Sequence, residues 1–138
     1  MSVGLQTKYY WFTIGSGDFL HSFFSTIAFH LENGEWGSRF PHIMSELYNG
    51  ELELQRINEA MYELRQIKKE MAKFSPSDVV WDIEDMDAKP PWGNNISTSI
   101  TSLANYFVTS EGEDLFEVFD AAFSMAIEIG EPIRIVAL

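Results

Sequence analysis

The sequence predicts an α+β fold, with one mostly antiparallel sheet of about four strands packed against three to four helices. Three observations predict it. Clusters of β-branched and aromatic residues stand near both ends of the chain and in its middle. Between them run stretches whose apolar residues recur at helical spacing, and Gly, Pro and Asn punctuate the joints. Strands and helices that do not alternate strictly favour a sheet covered by helices over a parallel βαβ design.

Val3 to Thr13 reads as a first strand, rich in Tyr, Trp, Phe and Thr and stopped by Gly15-Ser-Gly17. From Asp18 the apolar positions Phe19, Leu20, Phe23, Phe24, Ile27, Ala28 and Leu31 trace one helix face, with Ser16 or Asp18 as N-cap. Asn33-Gly34 ends that helix. A loop carrying Trp36 follows, and then Phe40 to Tyr48 as a short helix closed by Asn49-Gly50. Glu51 to Phe74 reads as a long amphipathic helix with Leu54, Ile57, Met61, Leu64, Ile67 or Lys68, Met71 and Phe74 on its buried stripe. Val79 to Ile83 predicts a strand, followed by an acidic, proline-rich loop from Glu84 to Asn95. Leu103 to Thr109 predicts another strand, Asp114 to Ile129 a helix, and Ile133 to Leu138 a closing strand. There is no internal repeat.

A chain of 138 residues, 46% hydrophobic and 14% aromatic, is expected to fold as one domain spanning residues 1–138 and to bury a core without a disulfide or metal staple. The absence of cysteine excludes a thiol nucleophile and every cysteine-ligated metal centre. The N-terminal stretch lacks the basic, apolar and cleavage regions of a signal peptide. Lys8, Asp18, His21 and His30 interrupt the apolar runs short of the roughly 18 residues a membrane span needs. The expectation is a cytoplasmic protein.

The formal net charge is −12, and it is unevenly placed. Residues 51–74 hold five charges of each sign, whereas residues 75–138 hold only Lys89 and Arg134 against twelve carboxylates. Such a field repels nucleic acid and anionic lipid and accelerates encounter with a basic protein. It also serves plain solubility.

No motif of a nucleotide-binding loop, a serine hydrolase or a zinc protease is present, so no catalytic, cofactor-binding or metal-ligating residue is assigned. His21 and His30 lie nine residues apart on one helix and point to different sides. Asp82, Glu84, Asp85 and Asp87 offer oxygen ligands to a hard cation but lack the glycine and closing glutamate of an EF-hand loop. The same run reads better as a recognition surface, since Pro90-Pro91 stiffens the approach to Trp92, an aromatic that serves either as a binding anchor or as a cap on the core.

Several blocks together resemble a known family. Ser2-Val-Gly-Leu5, Tyr10-Trp-Phe-Thr-Ile-Gly15, Phe19-Leu-His-Ser-Phe-Phe24, Val80-Trp-Asp-Ile-Glu-Asp85, Pro90-Pro-Trp-Gly93, Asn105-Tyr-Phe-Val-Thr109 and Asp114-Leu-Phe116 are similar to the immunity protein 70 family of bacterial polymorphic toxin systems. The resemblance implies a cytoplasmic antitoxin that binds the C-terminal domain of a cognate toxin, with neither nucleic acid nor membrane as partner and no cofactor. Many such toxins are nucleases, and a basic nuclease would suit an inhibitor of charge −12. On that expectation Asp82, Glu84, Asp85, Asp87, Glu111, Glu113 and Asp114 are charge partners of the toxin, and Trp92 is the anchor. Two other interfaces stay open, the Trp36 loop and sheet-edge pairing by Ile133 to Leu138. The alternative function is a small-ligand-binding or regulatory domain without catalytic activity.

Overall fold

The first eleven β-forming residues do not make one long strand. In the computed structural model, which describes residues 2–138, they fold back on themselves as β1 (Ser2–Thr7) and β2 (Tyr10–Ser16). The turn is Lys8-Tyr9, with Lys8 in the left-handed region at φ 53°. A hairpin normally marks such a position with Gly, Asn or Asp, so this one carries no sequence signal. β1 pairs antiparallel with β2 on one side and with β4 (Ile133–Ala137) on the other. A two-residue strand, β3 (Glu51–Leu52), pairs with β4 and completes the order β2-β1-β4-β3. β4 is therefore flanked by β1 from Arg134 to Ala137 and by β3 at Ile133 and Arg134 alone.

The alternation of β1 sends Val3, Leu5 and Thr7 into the core. On the opposite face Trp11 packs against Gly4, where a Cβ would come within 2.5 Å of the indole ring and of the Phe12 carbonyl. Only glycine permits that close approach.

α1 (Gly17–Leu31) and α3 (Leu115–Ile129) pack on the sheet, and α2 (Ile57–Met71) packs against both helices. Ser16 caps α1 by accepting the Phe19 N–H at 3.1 Å, and Asp114 caps α3 by accepting from Glu117. Gly130 ends α3 in the left-handed conformation at φ 70°. Phe23 is the centre of the core, in ring contact with Phe24, Phe107, Phe116 and Phe119. No helix among the described residues is long and apolar enough to cross a membrane.

The expected architecture holds, but two of its four strands are elsewhere in the chain. The long helix starts later than its apolar period suggests, because Leu52 is withdrawn to pair with Ile133 and is fully buried there. A 3-10 turn, Leu54–Arg56, leads into α2, whose inward residues are Ile57, Ala60, Leu64, Ile67 and Met71. Leu54 stands exposed instead.

Val79 to Ile83 is not a strand. Its backbone lies along α1, where the Val80 carbonyl accepts from the Ser22 and Thr26 hydroxyls at 2.8 and 3.1 Å. The Val80 N–H donates to Thr26, and the Ile83 N–H to Ser25. Three hydroxyls at i, i+3 and i+4 on an otherwise apolar helix face thus supply the bonds a neighbouring strand would have given. Leu103 to Thr109 is also not a strand, since only Val108 bridges to another segment, at Asp114. A tight turn closes there through Thr109 N–H to Glu113 carbonyl at 2.8 Å, and Ser110 N–H ties it to the Ile14 carbonyl at the end of β2.

Candidate functional site

The acidic run leaves α1 through Trp81 and turns sharply. Asp82 accepts the Glu84 N–H at 2.9 Å, and Asp85 accepts the Asp87 N–H at 3.3 Å, so two successive aspartates shape the loop with their own side chains. Glu84, Asp85 and Asp87 are exposed. Asp82 also meets His21 Nε2 at 3.2 Å. The Glu84 N–H first, and His21 after it, hold the Asp82 carboxyl below the ordinary range, so it stays an anion.

Trp92 is held rather than loose. Its indole N–H donates to the Tyr106 hydroxyl at 2.8 Å, and its ring meets Trp81 edge-on at 5.4 Å, leaving 37% of the residue exposed. Burial pushes the Tyr106 hydroxyl pKa up. Trp92 shares a shallow cleft of ≈ 250 Å³ with Val108, and Val108 bridges to Asp114. Trp81 packs against Trp92, and Trp92 and Val108 border the same cleft, with Asp114 bridged to Val108. Glu111 and Glu113 are exposed on the turn just before it. Asp114 is half-buried at the head of α3, and burial raises its carboxyl pKa against the opposing bond from Glu117.

Sequence reasoning did not foresee a second group beside the acidic run. His21 Nδ1 lies 3.1 Å from the Tyr48 hydroxyl, and the His21 ring stacks on Trp36 at 6.1 Å. Tyr48 stands edge-on to Phe24 at 4.9 Å and to Trp36 at 4.8 Å. The three rings wall a cleft of ≈ 360 Å³ with Glu84 at its rim. Tyr48 comes from the end of the short helical turn His42–Leu47, whose first N–H groups, His42 and Ile43, donate to Glu63 at 3.3 and 2.9 Å. Desolvation raises the Glu63 pKa despite those two donors.

The Trp36 loop is clamped from within. Glu32 is 2% exposed, and its carboxylate accepts the N–H groups of Gly37, Arg39 and Phe40 at 3.0, 3.0 and 3.1 Å. From the loop Arg39 reaches α2 and forms two parallel bonds to Glu70 at 2.8 and 2.7 Å. That pairing, helped by Gln66, lowers the Glu70 pKa from 4.5 to about 2. A depressed carboxyl stabilises the fold above its unfolded pKa and loses the contribution as pH falls. Glu70→Gln is therefore expected to flatten the acid-unfolding profile between pH 4.5 and about 2, by about 1–2 kcal/mol after allowing for the exposure of Arg39. Urea melts across that window check it.

Among the described residues no group of three or more His, Asp or Glu side chains is arranged to hold one metal ion. His30 is engaged with the Asp78 carbonyl at 2.7 Å, far along the helix from His21.

The sequence model for immunity protein 70 matches residues 5–135. The chain belongs to the immunity protein 70 family. No curated protein and no solved structure matches it. As an immunity protein it has a toxin as its partner. In this immunity protein the acidic loop is exposed and charged, the ring-walled cleft carries Glu84, and the Trp92 cleft is lined by uncharged residues. The Trp36 loop, which the sequence left as an open alternative, joins the acidic loop through His21, the Asp82 bond and the Glu84 rim.

Proposed function

We propose that this immunity protein neutralises a cognate toxin by binding its C-terminal domain one-to-one in the cytoplasm, with no turnover of its own. The match over residues 5–135 is the observation that carries the reading. The toxin domain is a basic nuclease, delivered by a polymorphic or contact-dependent system. A net charge of −12, ten units of it in residues 75–138, supports that choice, because a nuclease must present cations to phosphate. Asp82, Glu84, Asp85, Asp87, Glu111, Glu113 and Asp114 steer the encounter, and the exposed part of Trp92 packs against the partner.

Co-expression with the C-terminal domain of the protein encoded beside this chain tests the proposal. Host survival that depends on this chain, together with recovery of an equimolar complex, is expected. A harmless neighbour, or protection without a complex, would overturn stoichiometric inhibition.

A further inference from the structure

We infer that the cleft between His21, Trp36 and Tyr48 receives an arginine side chain of the toxin, its guanidinium lying against the rings and bonded to Glu84. The inference rests on the inhibitor reading above and names the group that reading leaves open.

His21 and Trp36 are half-buried, which leaves part of the ring surface accessible as a platform. The Trp36 indole N–H is already satisfied by the Met44 carbonyl at 2.6 Å, so what the residue still offers is its ring. Tyr48 is 38% exposed although Phe24 and Trp36 fix its orientation. Glu32 holds the loop that carries Trp36, so little conformational freedom remains to be lost when a partner docks.

The charge of the cleft selects a cation. Glu84 stands at the rim and Asp82 behind His21, and no lysine or arginine is among the lining residues. The same two carboxylates add to burial in pushing the Tyr48 hydroxyl pKa up, as an anionic environment must. Aromatic faces attract cations, and a planar guanidinium both stacks on a ring and presents several donors at once. Ser45 and Asn49 line the floor and offer further oxygen acceptors. A shallow cleft of ≈ 360 Å³ walled by aromatic rings suits that plane better than the compact, strongly hydrated ammonium of lysine.

Two experiments test this. Labelled protein is titrated with N-acetylarginine methylamide, with its neutral citrulline counterpart, and with N-acetyllysine methylamide. The arginine compound is expected to shift the Trp36 indole N–H and the His21 ring saturably, citrulline to leave both unmoved, and lysine to act more weakly. Equal shifts from citrulline, or arginine shifts that miss Trp36, would overturn the cleft. Lysine acting as strongly as arginine would overturn the guanidinium assignment. In the second experiment Glu84→Gln, an exposed change that leaves the fold intact, is expected to weaken toxin binding about tenfold, and Tyr48→Phe, which keeps the ring, to weaken it far less. Undiminished toxin binding by Glu84→Gln would overturn the cleft and leave the inhibitor reading standing. A wild-type chain that binds no toxin would overturn the inhibitor reading itself.

Discussion

Replacing Asp82, Glu84, Asp85 and Asp87 together by Asn or Gln is expected to slow association with the toxin domain about 10- to 100-fold at low salt. The effect follows from removing four of the twelve carboxylates in residues 75–138, three of them exposed, on a body with only two compensating cations there. Asn at 82 and 85 keeps an acceptor for the Glu84 and Asp87 N–H groups, so the turns survive and the charge alone is tested. The difference between variant and wild type should shrink as salt rises, because steering acts through solvent and is screened. Stopped-flow association across a salt series measures both effects. An unchanged association rate would place the interface away from this loop.

Glu32→Ala is expected to cost about 3–5 kcal/mol of stability, the largest effect of any single change proposed for this chain. The carboxylate is buried and accepts three backbone N–H groups, and its removal leaves all three donors without that partner, the Phe40 N–H in a buried position. Among the described residues no buried side-chain polar atom lacks a partner, and orphaned donors of this kind are rare in a folded chain. The loss should appear in urea unfolding. Trp36 sits on the released loop, so its fluorescence should change in the native baseline as well. A cost below about 1 kcal/mol would mean that the loop is held from elsewhere, with Arg39 and Glu70 as the remaining tie.

These two carboxylate groups differ in how visible they are. The acidic loop is legible at once, because four acids in six residues beside a Pro-Pro-Trp run stand out in composition. Glu32 is not, since an isolated glutamate next to Asn33-Gly34 looks like any solvated residue at a helix end. Its burial depends on the chain returning over it at Gly37 to Phe40. The ring-walled cleft was hidden for the same reason, as His21, Trp36, Tyr48 and Glu84 come from four separate stretches of chain.

What the sequence determined by itself is what local chemistry decides. The spacing of apolar residues placed α1 and α3 almost to the residue, and Ser16, Asp114 and Gly130 marked their ends. The missing cysteines, the −12 charge and the family blocks required no neighbours to be read. Strand partnership was decided by tertiary structure alone. Val79–Ile83 and Leu103–Thr109 have strand-like composition, yet a strand exists only where another backbone offers its N–H and C=O groups. Hydroxyls on α1 satisfied the first segment, and a tight turn folded the second. Leu52 became a strand residue because Ile133 was there to pair with it. Propensity states what a segment can do, and the backbone hydrogen bonds open to it in the folded chain settle which of those it does.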